Sequence, residues 1–391
     1  MYNGCDIDVL TDIEKTWFYE NKKNGYKYKY RVRNRHELNN IFVGLKDDAD
    51  LNWLDVSNIR DFSLLFKNYK SFHGDISQWN VSKAITMRGM FMSCSLLGCD
   101  ISNWDVSGVT DMEGMFMYSF FNGDLSKWNV SCVSNMKGMF MSSRFGNDSL
   151  NSWDVSNVTN MQKMFTNCKK FNGNISNWNP KSVEDMSGMF RDSIFNNNIS
   201  NWDVSSVKTF ECMFCRCPFS GDLSKWNLKN CTNIRYMFAE TSYNGDISNW
   251  DVSHVINFDK VFSQNKAFSS DISKWNTSRA YSMSYMFEHS SFDEDISNWD
   301  VSHVENFDGM FSNSKFNGDI SKWNTSSAIT MAYMFYMSVF DNDISNWNVS
   351  KCLHFDGMFY NNVMFYQDTS RWVINNHACV TSMYYGTILP E

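Results

Sequence analysis

Hydrophobic positions recur along most of the chain with a period of 24 or 25 residues. The clearest marker is tryptophan, and 13 of the 15 tryptophans follow this spacing: Trp79, Trp104, Trp128, Trp153, Trp178, Trp202, Trp226, Trp250, Trp275, Trp299, Trp323, Trp347 and Trp372. One earlier copy fits when Leu54 takes the tryptophan position, because Val56 and Phe66 then fall into place. A fixed period in this range predicts one repeat array of about 14 turns instead of independent domains.

Each copy follows the pattern I-x-x-W-x-V-x-x-V-x-x-M-x-x-M-F, then a polar stretch, an aromatic residue and N-G-D. The first part, residues 101–106 in one copy, predicts a short parallel β-strand whose apolar side chains share one face. The second part, residues 109–116, has apolar residues three apart and predicts a short helical or 3-10 segment. N-G-D is typical of a turn. Together these features predict a leucine-rich-repeat-like, right-handed solenoid with one strand and one helical segment per turn.

The two ends of the chain lack the full repeat. Residues 1–45 are predicted to be an N-terminal cap, with a basic strand in YKYKYRVRNR (26–35) and a short helix in HELNNIFVGL (36–45). The basic strand is interpreted as edge protection, with docking of nucleic acid or an acidic partner as the alternative. Residues 46–370 form the predicted solenoid. Residues 371–391 are predicted to be a degenerate last coil and C-terminal cap.

The amino-acid composition limits which classes of partner and which cellular environments are expected for this chain. The net charge of −8 argues against nucleic acid as the main partner. No apolar window approaches the 18 residues of a transmembrane helix, so membrane insertion is not expected. The 11 cysteines are scattered at irregular spacings, which favours reduced thiols over a disulfide framework. The first residues do not resemble a signal peptide, so the default expectation is a cytoplasmic location.

The residues beside the repeated tryptophan are the candidate partner-binding surface. The residue after the tryptophan alternates between Asp and Asn over ten successive repeats. Lysines that precede the tryptophan in Asn repeats are predicted to pair with Asp in neighbouring repeats, at about 0.2–1 kcal/mol per pair. Two interpretations of this exposed strand face are open. It is either a row of polar side chains that keeps the protein soluble or a surface that recognises a polar partner. The candidate residues are Lys127, Lys225, Lys274, Lys322, Asp105, Asp154, Asp203, Asp251 and Asp300.

No residue pattern predicts a catalytic, cofactor or metal site. The Asp of N-G-D recurs, but each repeat supplies only about one carboxylate there, so turn capping is favoured over a calcium ladder. Cys212, Cys215 and Cys217 crowd one repeat without the second pair of ligands that a zinc site needs. Nearly every polar residue obeys the repeat, whereas a catalytic site normally departs from local rules. The chain is therefore not expected to be an enzyme.

The repeat N-G-D-I-S-x-W-D/N-V-S-x-V-x-x-M-x-x-M-F resembles the BspA-like leucine-rich-repeat surface proteins over about residues 46–385. The resemblance implies a curved solenoid that is not an enzyme, that is adhesive or binds proteins, and that is often found at a cell surface. The leading hypothesis is a protein-binding or adhesive scaffold that uses the exposed strand face. The alternative is a structural component that self-associates within a larger particle or coat.

Overall fold

The computed structural model describes residues 29–43, 50–95 and 98–388. The chain forms two compact units, Met1–Val183 and Glu184–Glu391, and the division falls inside the predicted solenoid. Parts of the sequence predictions lie outside the described residues. These are residues 1–28 of the N-terminal cap with the start of the basic strand, the end of the short helix, residues 46–49 and 96–97 of the solenoid, and the last three residues of the C-terminal cap.

Three regular elements lie in the described part of the first unit: β1 (Tyr30–Arg31), α1 (Arg35–Ile41) and β2 (Leu54–Asp55). Strands β1 and β2 pair in parallel, with Tyr30 opposite Leu54. Helix α1 begins after Asn34, whose side chain accepts a hydrogen bond from the backbone N–H of Glu37. Strand β1 lies within the segment for which the sequence predicts a strand, and helix α1 begins one residue before the predicted helical segment 36–45 and ends at Ile41.

The strand predicted at each tryptophan is wrong for the described repeats that follow β2. Successive repeats are joined by isolated parallel bridges seven residues after the tryptophan position, such as Asp111 with Asn135 and Asn257 with Ser282. At Trp104 the backbone N–H donates to Ile101 of the same repeat, 3.1 Å away. The tryptophan therefore lies in a tight turn, and its N–H is not available to a neighbouring repeat.

The predicted helical or 3-10 segment is also wrong, since the described residues contain no helix other than α1. In the repeat of Trp104, three backbone turns follow one another, closed by the N–H groups of Met115, Met117 and Ser119 on the carbonyls three residues earlier. Gly114 and Tyr118 lie in the left-handed region, at φ +60° and +57°. A left-handed residue in every second turn prevents the segment from continuing as a helix.

The left-handed pair recurs in 14 successive repeats, 10 and 14 residues after the tryptophan position. In the first repeat, Leu64 and Asn68 take these positions, as expected if Leu54 replaces the tryptophan. The chain pattern that defines a repeat is therefore a backbone pattern as well as a side-chain pattern.

Backbone N–H groups between these turns join each repeat to the next. In the first unit, the N–H groups of Met112, Gly114, Phe116 and Tyr118 donate to the following repeat at 2.8–2.9 Å. The same four positions donate in the second unit, for example from Gly309 to Ala332 at 2.8 Å. Along this ladder the N–H groups point to the following repeat, and the carbonyl oxygens that accept them point to the preceding one.

Columns of aromatic side chains fill the core of each unit. The rings of Trp153 and Trp178 lie 6.4 Å apart and nearly parallel, and those of Phe116 and Phe140 lie 5.5 Å apart. All are buried. One repeat cannot cover such rings by itself, so burial comes from stacking on the neighbouring repeats.

The repeated indole also makes a buried hydrogen bond. The Nε1–H of Trp104 donates to the carbonyl of Ile76 in the preceding repeat at 3.2 Å. The same bond, at 2.8–3.2 Å, is made by Trp79, Trp128, Trp153 and Trp178 in the first unit, and by Trp226, Trp250, Trp275, Trp299, Trp323, Trp347 and Trp372 in the second. Phe fills similar space but offers no donor, which explains why the position holds Trp.

Candidate partner-binding surface

The tryptophan-flanking surface comprises the residues immediately before and after each repeat tryptophan. Every residue predicted to bind a partner is exposed on it. The first unit carries Lys127, Asp105 and Asp154; the second carries Lys225, Lys274, Lys322, Asp203, Asp251 and Asp300. Within each unit the repeated turn at the tryptophan places these side chains at equivalent positions.

The aspartates of this surface close local turns. The Oδ1 atom of Asp300 accepts a hydrogen bond from the backbone N–H of Ser302 at 3.0 Å. Asn324, in an Asn repeat, accepts the equivalent bond from Ser326 at 3.2 Å. Asp and Asn therefore perform the same structural task, and their alternation changes the charge of the surface without changing its backbone. The pKa of the Asp300 carboxyl is lowered because the hydroxyl and backbone N–H of Ser302 both stabilise its charged form.

The predicted pairing of lysines with the aspartates of neighbouring repeats is wrong. Lys127 instead donates from Nζ to the Oδ1 atom of Asn103, at 2.9 Å. Among the described residues, Lys225, Lys274 and Lys322 make no side-chain hydrogen bond and no ion pair. These three side chains are exposed, so their ammonium groups are available to other molecules.

The Asp of the N-G-D stretch caps a turn, as the sequence predicts. The backbone N–H of Ser224 donates to Asp222 at 2.8 Å, and that of Ser273 donates to Asp271 at 2.9 Å. These bonds lower the pKa of both carboxyls, and the nearby Lys225 and Lys274 lower them further. The same bond occurs at Asp75, Asp100, Asp124, Asp246, Asp295, Asp319, Asp343 and Asp368.

Over the described ranges, no group of three or more His, Cys, Asp or Glu side chains is arranged to hold a metal ion. The ten cysteines in this part of the chain are free thiols. Burial raises the pKa of Cys168 to about 12 and that of Cys215 to about 11. The Sγ atom of Cys168 donates to the buried carbonyl of Phe140 at 2.8 Å, which is a structural role.

Sequence reasoning missed an ion-pair cluster in the second unit. The Arg216 guanidinium contacts Asp192 at 2.6 Å and Glu240 at 3.0 Å, so one arginine joins three successive repeats. These residues take the second left-handed position of their repeats. A shallow depression of about 690 Å³ lies beside them, lined also by Lys266 and His289. The sequence does contain a signal for this cluster, because Asp, Arg and Glu occupy the same position in three successive repeats. That position can be recognised only once the left-handed residues are known.

Sequence reasoning also missed how the first repeat is covered. The Arg35 guanidinium of α1 donates to the carbonyl of Ser63 at 2.7 Å and to that of Asp61 at 3.4 Å. In later repeats, carbonyls at these positions accept N–H groups of the preceding repeat. Arg35 therefore supplies donors that a preceding repeat would otherwise supply. Burial lowers its pKa, an effect that the nearby Asp61 carboxylate opposes.

The other basic residues of β1 and its flank are engaged within the first unit. Lys29 donates to the carbonyl of Gln78 at 3.1 Å. Arg31 lies 3.8 Å from Asp55, and Arg33 pairs with Glu37 at 2.7 Å. Lys29 and Arg31 thus join the strand to the repeats, and Arg33 joins it to the helix; among the described residues, Arg31 and Arg33 are paired with carboxylates.

The family described as "Mycoplasma protein of unknown function, DUF285" matches residues 36–149, 142–242, 218–315 and 288–389. These matches cover most of the chain. The chain belongs to the DUF285 family. Four overlapping matches along one DUF285 chain confirm that it is built of tandem repeats. Comparisons with curated proteins and with solved structures find no match. Within the described part of this DUF285 chain, no helix has the length and apolar character needed to cross a membrane.

Proposed function

We propose that this DUF285 chain is a non-catalytic scaffold that binds a protein partner, or adheres to one, through its tryptophan-flanking surface. Each unit would be a leucine-rich-repeat-like, right-handed coil of the kind found in BspA-like proteins. The observation that carries the proposal is the set of three lysines in the second unit, Lys225, Lys274 and Lys322, which are exposed and make no side-chain hydrogen bond or ion pair among the described residues.

The regular backbone gives these lysines a defined spacing. They lie in alternate repeats, so with a repeat spacing near that of neighbouring strands they are about 10 Å apart. Carboxylates of Asp251 and Asp300 occupy the repeats between them. A row of alternating positive and negative groups recognises a partner with the complementary order of charges, and such complementarity provides specificity more than affinity.

The test is capture of a partner from cells that make the protein, followed by measurement of its affinity for two triple variants. The first variant changes Lys225, Lys274 and Lys322 to Ser. The matched control changes Lys266, Lys315 and Lys351 to Ser, which removes the same charge from exposed positions away from the tryptophan. We expect the first variant to lose at least about tenfold in affinity, and the control to lose less than about twofold.

Equal affinities of the two triple variants would remove the lysines from the binding site and contradict the proposal. Capture of nothing but further copies of the chain, with assembly that grows with concentration, would favour the structural alternative.

A further inference from the structure

The last described repeat, that of Trp372, leaves one edge of its backbone unbonded. In the preceding repeat the N–H groups of Phe355, Gly357, Phe359 and Asn361 donate to the repeat of Trp372 at 2.7–2.9 Å. The equivalent N–H groups of the last repeat are those of Val380, Ser382, Tyr384 and Gly386. Within the described residues none of these four has a hydrogen-bond acceptor.

Along residues 379–386 the chemistry of this C-terminal edge is one-sided. The one neighbouring acceptor among the described residues is the carbonyl of Ala378, the equivalent of the Thr110 carbonyl that accepts from Ser134 at 2.9 Å. The carbonyls of Cys379, Thr381, Met383 and Tyr385 point back and accept from the preceding repeat. The carbonyls of Val380, Ser382 and Tyr384 accept from turns within their own repeat. The edge therefore presents four N–H donors in a row, whereas an ordinary β-strand edge alternates donors with acceptors.

Apolar groups surround the four donors. A cavity of about 580 Å³ is lined by Ile374, Val380, Ser382, Met383, Tyr384 and Tyr385. The rings of Trp372, Tyr384 and Tyr385 each stack on a ring of the preceding repeat, at 6.3, 5.5 and 4.9 Å. None has an aromatic neighbour on its other face among the described residues. In every interior repeat, that face is covered by the next repeat.

A second copy of this chain is a poor match for the edge. Two C-terminal edges would place donors against donors. At the outer edge of the first repeat, Arg35 already bonds two of the four carbonyls that could accept, those of Asp61 and Ser63, and helix α1 buries Leu38 and Ile41. The occupant that fits must bring carbonyl oxygens at every second residue and aromatic side chains at the repeat spacing.

We propose that the C-terminal edge of the second unit binds a repeat segment of the same kind supplied by a different polypeptide, whose carbonyl oxygens accept the N–H groups of Val380, Ser382, Tyr384 and Gly386. This is binding by addition of a backbone segment to an open edge. It goes beyond the proposed function, because it uses neither the lysines nor the aspartates of the tryptophan-flanking surface.

The probe is a fluorescent 15-residue peptide with the sequence of residues 299–313. In the protein, its Asn306, Asp308, Met310 and Ser312 carbonyls accept N–H groups of the preceding repeat at 2.7–3.0 Å. Fluorescence anisotropy with the full chain should show saturable binding, and a scrambled peptide of the same composition should not bind. Amide hydrogen exchange at the four donors should be fast in the free protein and slow with the peptide present.

Three variants test the mechanism. Val380→Pro removes one outward N–H, whereas Val380→Ala keeps it and serves as the control. Val380→Asp leaves the backbone intact and places a carboxylate beside the donors, where it competes with the peptide carbonyls. We expect at least a tenfold loss of peptide affinity for Val380→Pro and Val380→Asp and less than a threefold loss for Val380→Ala. The triple lysine variant should bind the peptide normally, which separates this proposal from the proposed function.

Three results would overturn the inference. The first is the absence of saturable binding at millimolar peptide. The second is slow exchange at the four donors before peptide is added, which would mean that the chain covers its own edge. The third is self-association that Val380→Asp abolishes, which would make a second copy the occupant.

Discussion

The outer edge of the first repeat is covered by an arginine side chain and a helix, whereas the outer edge of the last described repeat is open. At the first edge, Arg35 donates to two carbonyls, and Leu38 and Ile41 of α1 are buried. At the last edge, four N–H groups lack acceptors among the residues within 29–388 that the structure describes, and the apolar residues Val373 and Ile388 are 72% and 61% exposed. The two edges therefore differ in their capping: side chains bond backbone groups at the first edge, and no described residue does so at the last.

The direction of the ladder explains why the two edges need different caps. The four ladder N–H groups of each repeat donate to carbonyls of the following repeat, so at these positions the first edge exposes acceptors and the last exposes donors. Other N–H groups, such as that of Thr110, which donates to Ile85 at 2.8 Å, run to the preceding repeat. A guanidinium carries several N–H donors in a fixed plane and can satisfy two carbonyls at once. The last edge needs acceptors, and among the described residues no side chain supplies them. An open edge of this kind is a template for pairing with another chain.

The largest expected effect comes from an interior tryptophan. Trp226→Ala should lower the free energy of unfolding by about 3–5 kcal/mol, because a large side chain is removed from a packed core. Trp372→Ala, at the open edge, should cost clearly less, since the ring of Trp372 is stacked on one side only. Chemical denaturation of both variants checks the difference. Equal losses would mean that the last repeat is as well covered as an interior one.

Trp226→Phe separates the hydrogen bond from the packing. Phe keeps much of the apolar area but leaves the Ile199 carbonyl without the indole donor. An unsatisfied buried carbonyl costs about 1–3 kcal/mol, so this variant should fall between the wild type and Trp226→Ala. A variant as stable as the wild type would contradict the structural role of the indole N–H.

Removal of the Arg35 side chain that caps the first repeat should cause the next largest loss of unfolding free energy. Arg35→Met keeps the apolar stem but removes both donors, and should cost about 1–3 kcal/mol of unfolding free energy because two carbonyls lose their partners. Arg35→Lys, with a single compact ammonium, should recover only part of this loss. Thermal melting of the three proteins is the measurement. If Arg35→Met melts like the wild type, then water or neighbouring groups satisfy these carbonyls as well as the guanidinium does.

Substitutions at the left-handed positions should change the stability by a smaller amount, and the backbone conformation predicts whether each one stabilises or destabilises. Gly138 has φ +59°, and an added Cβ would lie 2.9 Å from the Met117 side chain, so Gly138→Ala should destabilise by about 1 kcal/mol. Lys163 takes the same position in the next repeat at φ +58° and is exposed. Lys163→Gly should therefore stabilise by about 0.5–1 kcal/mol. Opposite signs in denaturant unfolding support the left-handed backbone, and equal signs contradict it.

The turn-capping aspartates give the smallest effect per residue, seen as a dependence on pH. Hydrogen bonds from serine lower the pKa of carboxyls such as Asp246 and Asp295 in the folded protein. A lowered folded pKa means that the charged form favours folding above the unfolded pKa of about 3.9. This contribution is lost as the pH falls through the lower, folded values. Melting temperature should therefore decrease steadily below about pH 4.

Asp246→Asn is the control for the pH prediction. The amide oxygen accepts the same N–H bond, as Asn174 does from Ser176 at 3.0 Å, but does not titrate. The variant should match the wild type at neutral pH and lose less stability in acid. A steeper loss in acid for Asp246→Asn would contradict the assignment.

The period and the first repeat at Leu54 were predictable from the sequence because the same residue types recur at a fixed spacing. The capping role of the N-G-D aspartates was predictable because it depends on residues close together in the chain. Asp271 and Ser273, for example, lie two residues apart. The position of the inter-repeat ladder was not predictable. Apolar residues at 101–106 suit a strand equally well as a turn, and a spacing of three suits a helix equally well as successive turns with left-handed residues.

The candidate surface was predictable in its exposure but not in its contacts. Alternating Asp and Asn identify positions outside the core. The sequence pattern does not show, however, that Asp300 accepts from Ser302 and makes no ion pair with Lys274. The caps were least predictable. The role of Arg35 depends on carbonyls 26 and 28 residues away, and the open edge depends on which way the N–H groups point. Neither leaves a periodic signal.

Residue-resolved amide hydrogen exchange of the free protein tests the one-directional ladder most directly. The N–H groups of Phe62, Leu64 and Phe66, in the first repeat, should exchange slowly although that repeat has an outer edge, because they donate to the second repeat. In the last repeat, Ser382 and Tyr384 should exchange fast while Met383 and Tyr385, bonded within their own turns, exchange more slowly. Uniformly fast exchange across residues 379–388 would indicate fraying, and slow exchange at Ser382 and Tyr384 would indicate a covered edge. Either result would contradict a ladder that is capped at its first repeat and open at its last.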